Sequence, residues 1–129
     1  MSGISVERLV ARDVPATRDA LRVFAPAFDE EENFFSAPPS DSYLERLLSD
    51  DGFVMLGARI DGAVVGALSA YELVKYEQER SEFYIYDLAV AEPFRRRGVA
   101  TALIEGLKPI AKAAGAWVIF VQADREDEP

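Results

Sequence analysis

Apolar and polar residues alternate from Ile4 to Leu9, and this period of two predicts a strand. From Asp13 the period lengthens. Val14, Leu21, Phe24 and Phe28 keep helical spacing, so a helix capped by Asp13 runs to about Phe24, with Pro15 tolerated in its first turn. Phe34 to Ser40, with Pro38-Pro39, reads as a loop. Ser42-Tyr43-Leu44-Glu45 is a capping-box pattern that opens a short helix ending near Asp51-Gly52. Phe53 to Ile60 and Ala63 to Tyr71 read as strands, joined at Asp61-Gly62 by a two-residue hairpin signal. Val74 to Arg80 is a polar connection. A long strand follows, ending in the β-branched and aromatic run Phe83 to Val90. Val99, Ala102, Leu103, Leu107 and Ile110 mark a helix from Gly98 to Ala114, stopped by Gly115. Pro109 inside it removes a backbone donor and should kink or locally break it. Ala116 to Ala123 is the last strand. With no internal repeat, linker or low-complexity segment, residues 1–129 read as one domain.

Composition narrows the chemistry. Half of the residues are hydrophobic, enough for a real core, yet no apolar run reaches the roughly 18 residues of a membrane span. The first residues show no basic region followed by an apolar stretch, so a cytoplasmic protein without a membrane partner is expected. Cysteine and histidine are both absent. That removes disulfides, thiolate metal sites, a cysteine nucleophile and a Ser-His-Asp triad, and no metal site is expected. Proton transfer is left to carboxylates, tyrosine, lysine, backbone or water. The net charge of -9 argues against nucleic acid as a partner and for a cationic one. Acidic residues gather at 29–32 and at Asp124, Glu126, Asp127 and Glu128. Solvated surface is the plain account of such runs, more so for the first than for the second, which follows a strand end.

Basic residues concentrate elsewhere. Arg95, Arg96, Arg97 and Gly98 lie between the strand ending at Val90 and the helix that follows. Cations are unfavourable at a helix N-terminus unless an anion is bound there. Free N–H groups of the first turn, close approach of the backbone at Gly98 and charge-assisted contacts from arginine together make a diphosphate site.

Arg95-Arg96-Arg97-Gly98-Val99-Ala100 resembles the Arg/Gln-x-x-Gly-x-Gly/Ala motif of the GNAT superfamily of N-acetyltransferases, in its strand–loop–helix–strand setting. The resemblance implies an α/β GNAT fold, with a mixed, mostly antiparallel central sheet flanked by helices. It implies acetyl-coenzyme A as cosubstrate, its diphosphate held by Arg95, Arg96, Arg97, Gly98, Val99, Ala100 and Thr101. A narrower likeness covers nearly the whole chain. Val65 to Tyr71, Lys75 to Glu82, Tyr84 to Val90 and Val118 to Asp124 look like the aminoglycoside 3-N-acetyltransferases of the GNAT class. The Glu77-Gln78-Glu79-Arg80-Ser81-Glu82 segment before Tyr84-Ile85-Tyr86-Asp87 is not a general GNAT feature. It implies acetylation of one amine, at the 3-position, of a polycationic aminocyclitol antibiotic, and hence resistance.

Members of that group continue beyond the equivalent of Glu128-Pro129 with a tyrosine-bearing helix and two strands, so the domain is expected to be C-terminally incomplete. A second copy, in a homodimer, could complete its sheet. The implied mechanism is direct transfer. Leu88, Ala89 and Val90 hold the pantetheine arm, and a backbone N–H there polarises the thioester carbonyl. Asp87, a carboxylate in an otherwise apolar strand, takes the proton from the amine; the alternative is a structural carboxylate. Glu82, Asp87 and Asp124 hold substrate ammonium groups, with exposure at strand ends the alternative for Glu82 and Asp124. Tyr84 and Tyr86 are expected to be packing residues. Two further functions stay open: acetylation of another polyamine or a protein N-terminus, and a catalytically silent coenzyme-binding module.

Overall fold

The computed structural model of the chain describes residues 3–27 and 38–121. Strand β1 (Ser5–Arg8) leads through a 3-10 turn (Ala11–Asp13) into helix α1 (Val14–Ala27). Helix α2 (Asp41–Leu48) precedes the strands β2 (Phe53–Ile60), β3 (Ala63–Val74) and β4 (Ser81–Val90). A second 3-10 turn (Glu92–Phe94), helix α3 (Val99–Ala113) and strand β5 (Ala116–Val121) follow. The strands form one sheet in chain order, antiparallel except for the parallel pair β4–β5, which α3 connects. The expected mixed, mostly antiparallel sheet flanked by helices is what the chain forms.

Strand alternation gives the sheet two cores. Val54, Leu56, Leu68, Ala70, Phe83 and Ile85 face Val99, Leu103, Leu107 and Ala111 of α3. Phe53, Met55, Ala67 and Ala89 face Val14, Ala20 and Phe24 of α1 and Leu44 and Leu48 of α2. Each fully buried Leu or Phe among them contributes about 1.5–3 kcal/mol. Gly66 lets α3 sit close to β3, since a Cβ there would lie 2.6 Å from a Val99 methyl carbon. The packing that fixes the first residue of α3 therefore depends on a glycine in the sheet.

Local details depart from the sequence reading at several points. Asp13 does not cap α1 from outside; it ends the 3-10 turn, and its carboxylate accepts from the Val10 N–H at 2.8 Å. Helix α2 is capped by Ser40, whose hydroxyl accepts from the Tyr43 N–H at 3.2 Å, rather than by Ser42. The earlier start places Asp41 in the first turn, where it complements the dipole and pairs with Arg18 of α1. Arg18 also donates to the Pro39 carbonyl at 3.0 Å, which ties the start of α2 to α1. The hairpin at Asp61-Gly62 forms as expected, with φ of 52° and 84°, the pattern of a type I′ turn. Strand β3 runs on to Val74, because Glu72, Leu73 and Val74 continue the ladder with Phe83, Glu82 and Ser81. Phe28 lies outside the described residues.

Helix α3 passes through Pro109 without a break. Its buried face, Leu103, Leu107 and Ala111, is carried on both sides of the proline and holds the helix to the sheet, while Pro109 itself is exposed. Proline costs a helix interior about 3 kcal/mol relative to alanine. Pro109→Ala should therefore raise the unfolding free energy by about 2 kcal/mol, read from denaturant unfolding curves with an unchanged m-value. An unchanged midpoint would show that the backbone accommodates the ring without cost.

Candidate active site

Strand β4 carries an irregularity that organises the site. Ser69 pairs with Asp87 and Ala70 with Ile85, so Tyr86 is an extra residue with no partner position on β3. Phe83 and Ile85 pack toward α3, and so do Leu88 and Val90. The three-residue step from Ile85 to Leu88 turns both Tyr86 and Asp87 to the α1/α2 face, as a bulge does. Tyr86 packs against its neighbouring rings there yet is 61% exposed.

Among the described residues the last partner on β5 is Val121, opposite Ile85. Leu88, Ala89 and Val90 line a cleft of about 510 Å³. Its other walls are Phe94, Arg95, Arg96, Gly98, Val99, Ala100 and Thr101. The structure thus brings nine of the ten residues expected to bind coenzyme to one cleft; Arg97 is the exception. Its guanidinium stands 5.4 Å from the ring centroid of Phe94. Phe94 itself was not singled out in the sequence, although an aromatic residue directly before three arginines is a signal for such stacking.

The loop owes its shape to two left-handed residues. Gly98 has φ of 84° and Arg96 φ of 65°. The second costs a side-chain-bearing residue about 1–2 kcal/mol. The first backbone bond of α3 joins the Ala102 N–H to the Gly98 carbonyl at 2.9 Å. The N–H groups of Val99, Ala100 and Thr101 therefore precede the helical ladder and are orphan donors at the cleft. Arg95 is fixed by donation from Nε to the Val90 carbonyl at 3.0 Å. Its remaining donors stay at the cleft wall. Orphan N–H groups, a helix dipole and Arg95 and Arg96 together suit an anion of more than one charge.

Of the carboxylates expected to meet the amine, the two among the described residues, Asp87 and Glu82, stand apart. Asp87 is half-buried beside Tyr86, opposite Ser69 on β3. Its charge reaches the hydroxyl of Tyr71, whose pKa is raised by burial first and then by Tyr86, Tyr43 and Asp87. Tyr71 is therefore a proton-bearing donor at neutral pH. Glu82 lies five residues back along β4, about 16 Å away at ~3.3 Å per residue. It is within 3.6 Å of Arg80, which in turn lies 4.6 Å over the Trp117 ring. Its charge is thus compensated inside the protein. Asp124, with the acidic runs at 29–32 and 124–128, lies outside the described residues. Among the described residues there is no acidic group suited to a metal ion, and no helix is long and apolar enough to cross a membrane.

Residues 16–128 match the model of the acetyltransferase (GNAT) family, and the chain belongs to that family. Acetyl-coenzyme A is its acetyl donor. Two solved structures place it more closely. An aminoglycoside acetyltransferase from an uncultured soil metagenomic sample is 50% identical, with a TM-score of 0.93 over 95% of this chain and 81% of that one. A second, of the same kind of source and solved with sisomicin, is 33% identical, with a TM-score of 0.88 over 97% and 80%. A ribosomal-protein-alanine N-acetyltransferase from Brucella melitensis biovar Abortus 2308 is 28% identical, with a TM-score of 0.75 over 98% and 84%. No curated protein matches.

Proposed function

We propose that this chain transfers the acetyl group of acetyl-CoA directly to an amine of an aminoglycoside, at the 3-amino position, and so inactivates the antibiotic. The observation that carries the reading is the arrangement of β4. Its backbone at 88–90 enters the basic cleft, while the bulge just before it sets Asp87 on the opposite face. A coenzyme with its diphosphate at Arg95, Arg96 and the start of α3 would extend its arm along Leu88 to Val90. Its thioester would then end beside the bulge. A backbone N–H of that segment polarises the carbonyl as the oxyanion forms. Asp87 takes the proton as the amine attacks and the N–C bond forms. The oxyanion then collapses, the C–S bond breaks, and coenzyme A leaves as a thiolate that is protonated to the free thiol. Before attack the same carboxylate attracts the cationic acceptor. The amine is the nucleophile, so neither cysteine nor histidine is needed. The two aminoglycoside acetyltransferases of similar sequence, one of them bound to sisomicin, support this substrate class.

A panel of amines tests the reading. Acetyl transfer to sisomicin-type aminoglycosides should exceed transfer to spermidine and to an alanine N-terminal peptide in kcat/KM, and NMR of the product should place the acetyl on the 3-amino nitrogen. The likeness to the ribosomal-protein-alanine enzyme makes the peptide the informative competitor. A chain of net charge -9 draws a polycation over long range. The aminoglycoside KM should therefore climb with ionic strength, as the Debye length shrinks to about 3 Å at 1 M salt. A better rate on the peptide, or a KM indifferent to salt, would replace the antibiotic reading with the general-amine one.

A further inference from the structure

The face of the sheet that carries Asp87 also carries a row of aromatic rings. Phe53, Tyr71, Tyr84 and Phe120 are in register across β2, β3, β4 and β5. Phe53 and Tyr71 have centroids 5.1 Å apart, and Tyr84 and Phe120 stack at 5.1 Å. The bulged Tyr86 joins the two pairs. It meets Tyr71 edge-on at 5.8 Å and Tyr84 edge-on at 6.2 Å. The row does not behave as core. Tyr71 is 37% exposed, Phe120 38% and Tyr86 61%. Phe53 alone is buried, at the edge of the α1/α2 cluster. Tyr71 brings a hydroxyl to this row, and Asp87 stands beside it, next to Tyr86 and opposite Ser69.

We propose that Tyr86, supported by Tyr71 and Tyr84, is the platform on which one pyranose ring of the acceptor stacks, with an ammonium of that ring directed to Asp87. The inference rests on the amine-acceptor reading above and adds the residues that select a ring-shaped acceptor over a linear one. Three features match this ligand. An aminoglycoside ring has an apolar C–H face that lies flat on an aromatic ring. Its ammonium groups are attracted to the negative ring faces and to the carboxylate. Its hydroxyls meet the Tyr71 donor. A linear polyamine offers the charges without the flat face. The edge-on contacts of Tyr86 fix its ring between two neighbours, so little freedom remains to be lost on binding.

Two substitutions at Tyr86 test the platform. Tyr86→Leu keeps apolar bulk and removes the ring; Tyr86→Phe keeps the ring. The site is exposed, so both should fold, which thermal unfolding checks. The Leu variant should raise the sisomicin KM about tenfold, as expected for loss of a ring–cation and ring–ring-face contact. Its spermidine KM should move less than twofold, with an unchanged KM for acetyl-CoA. The Phe variant should restore the sisomicin KM to within about twofold of the parent. Equal losses for sisomicin and spermidine, or none for either, would overturn the platform. Should the parent protein acetylate no aminoglycoside, the amine reading falls, and calorimetric titration with sisomicin judges the platform by itself. Binding lost in the Leu variant and kept in the Phe variant upholds it; no binding to the parent overturns it.

Discussion

Gly98→Asp is expected to abolish acetyl-CoA binding while leaving the fold intact. Gly98 is the residue before α3 and has φ of 84°, where a side chain costs about 1–2 kcal/mol. Among the described residues nothing beyond its chain neighbours lies within 4 Å of a Cβ placed there, so the substitution meets no clash with them. The negative charge of an aspartate at this position would itself complement the N-terminal dipole of α3 and offset part of that strain. The ligand then faces a carboxylate. Two like charges about 4 Å apart repel by about 4 kcal/mol at an effective dielectric near 20. A loss of at least about 10²-fold in affinity is therefore expected, read by calorimetric titration with acetyl-CoA. Gly98→Ala separates the causes, because it carries the strain without the charge and should bind far better than the aspartate variant. Unchanged affinity in Gly98→Asp would remove the diphosphate from this loop.

The parts of the molecule legible in the sequence are those governed by local chemistry. The Asp61-Gly62 turn follows from two residues that accept positive φ. The basic cleft follows from one strand, one glycine and the residues between them, all within a short stretch of chain. What escaped depends on partners distant in sequence. Helix α3 continues through Pro109 because buried leucines on both sides of it are held by the sheet, which local propensity does not reveal. Ser40 caps α2 where Ser42 fits the pattern as well; the choice is made by Arg18 on another helix, which grips Pro39 and Asp41. Glu82 reads as an acceptor for substrate until Arg80 is seen beside it. The bulge left a trace. Ile85 and Leu88 are both apolar and three apart, a spacing that a regular strand cannot place on one face. Reading that step would have turned Tyr86 outward and set it beside Asp87. The aromatic row required knowing which residues of four strands stand in register.

Asp87→Asn should lower the transfer rate by about 10²-fold or more, in line with the contribution of a general base. The bulge gives the residue its opportunity. By adding Tyr86 to the strand it turns Asp87 to the α1/α2 face and away from the α3 core, next to the point where Leu88 to Val90 enter the basic cleft. Asparagine preserves the size and hydrogen bonding of the side chain and removes its charge and basicity. Acetyl-CoA affinity should therefore stay at the parent value, since the diphosphate loop is untouched. The aminoglycoside KM should rise as well, because the same carboxylate holds an ammonium. Saturating aminoglycoside separates these two losses: the KM effect vanishes there, while the fall in kcat remains, and in both proteins only amine that has already shed its proton attacks. A variant with near-normal kcat would show that the proton leaves by another route, and that Asp87 supports the bulge and not the reaction.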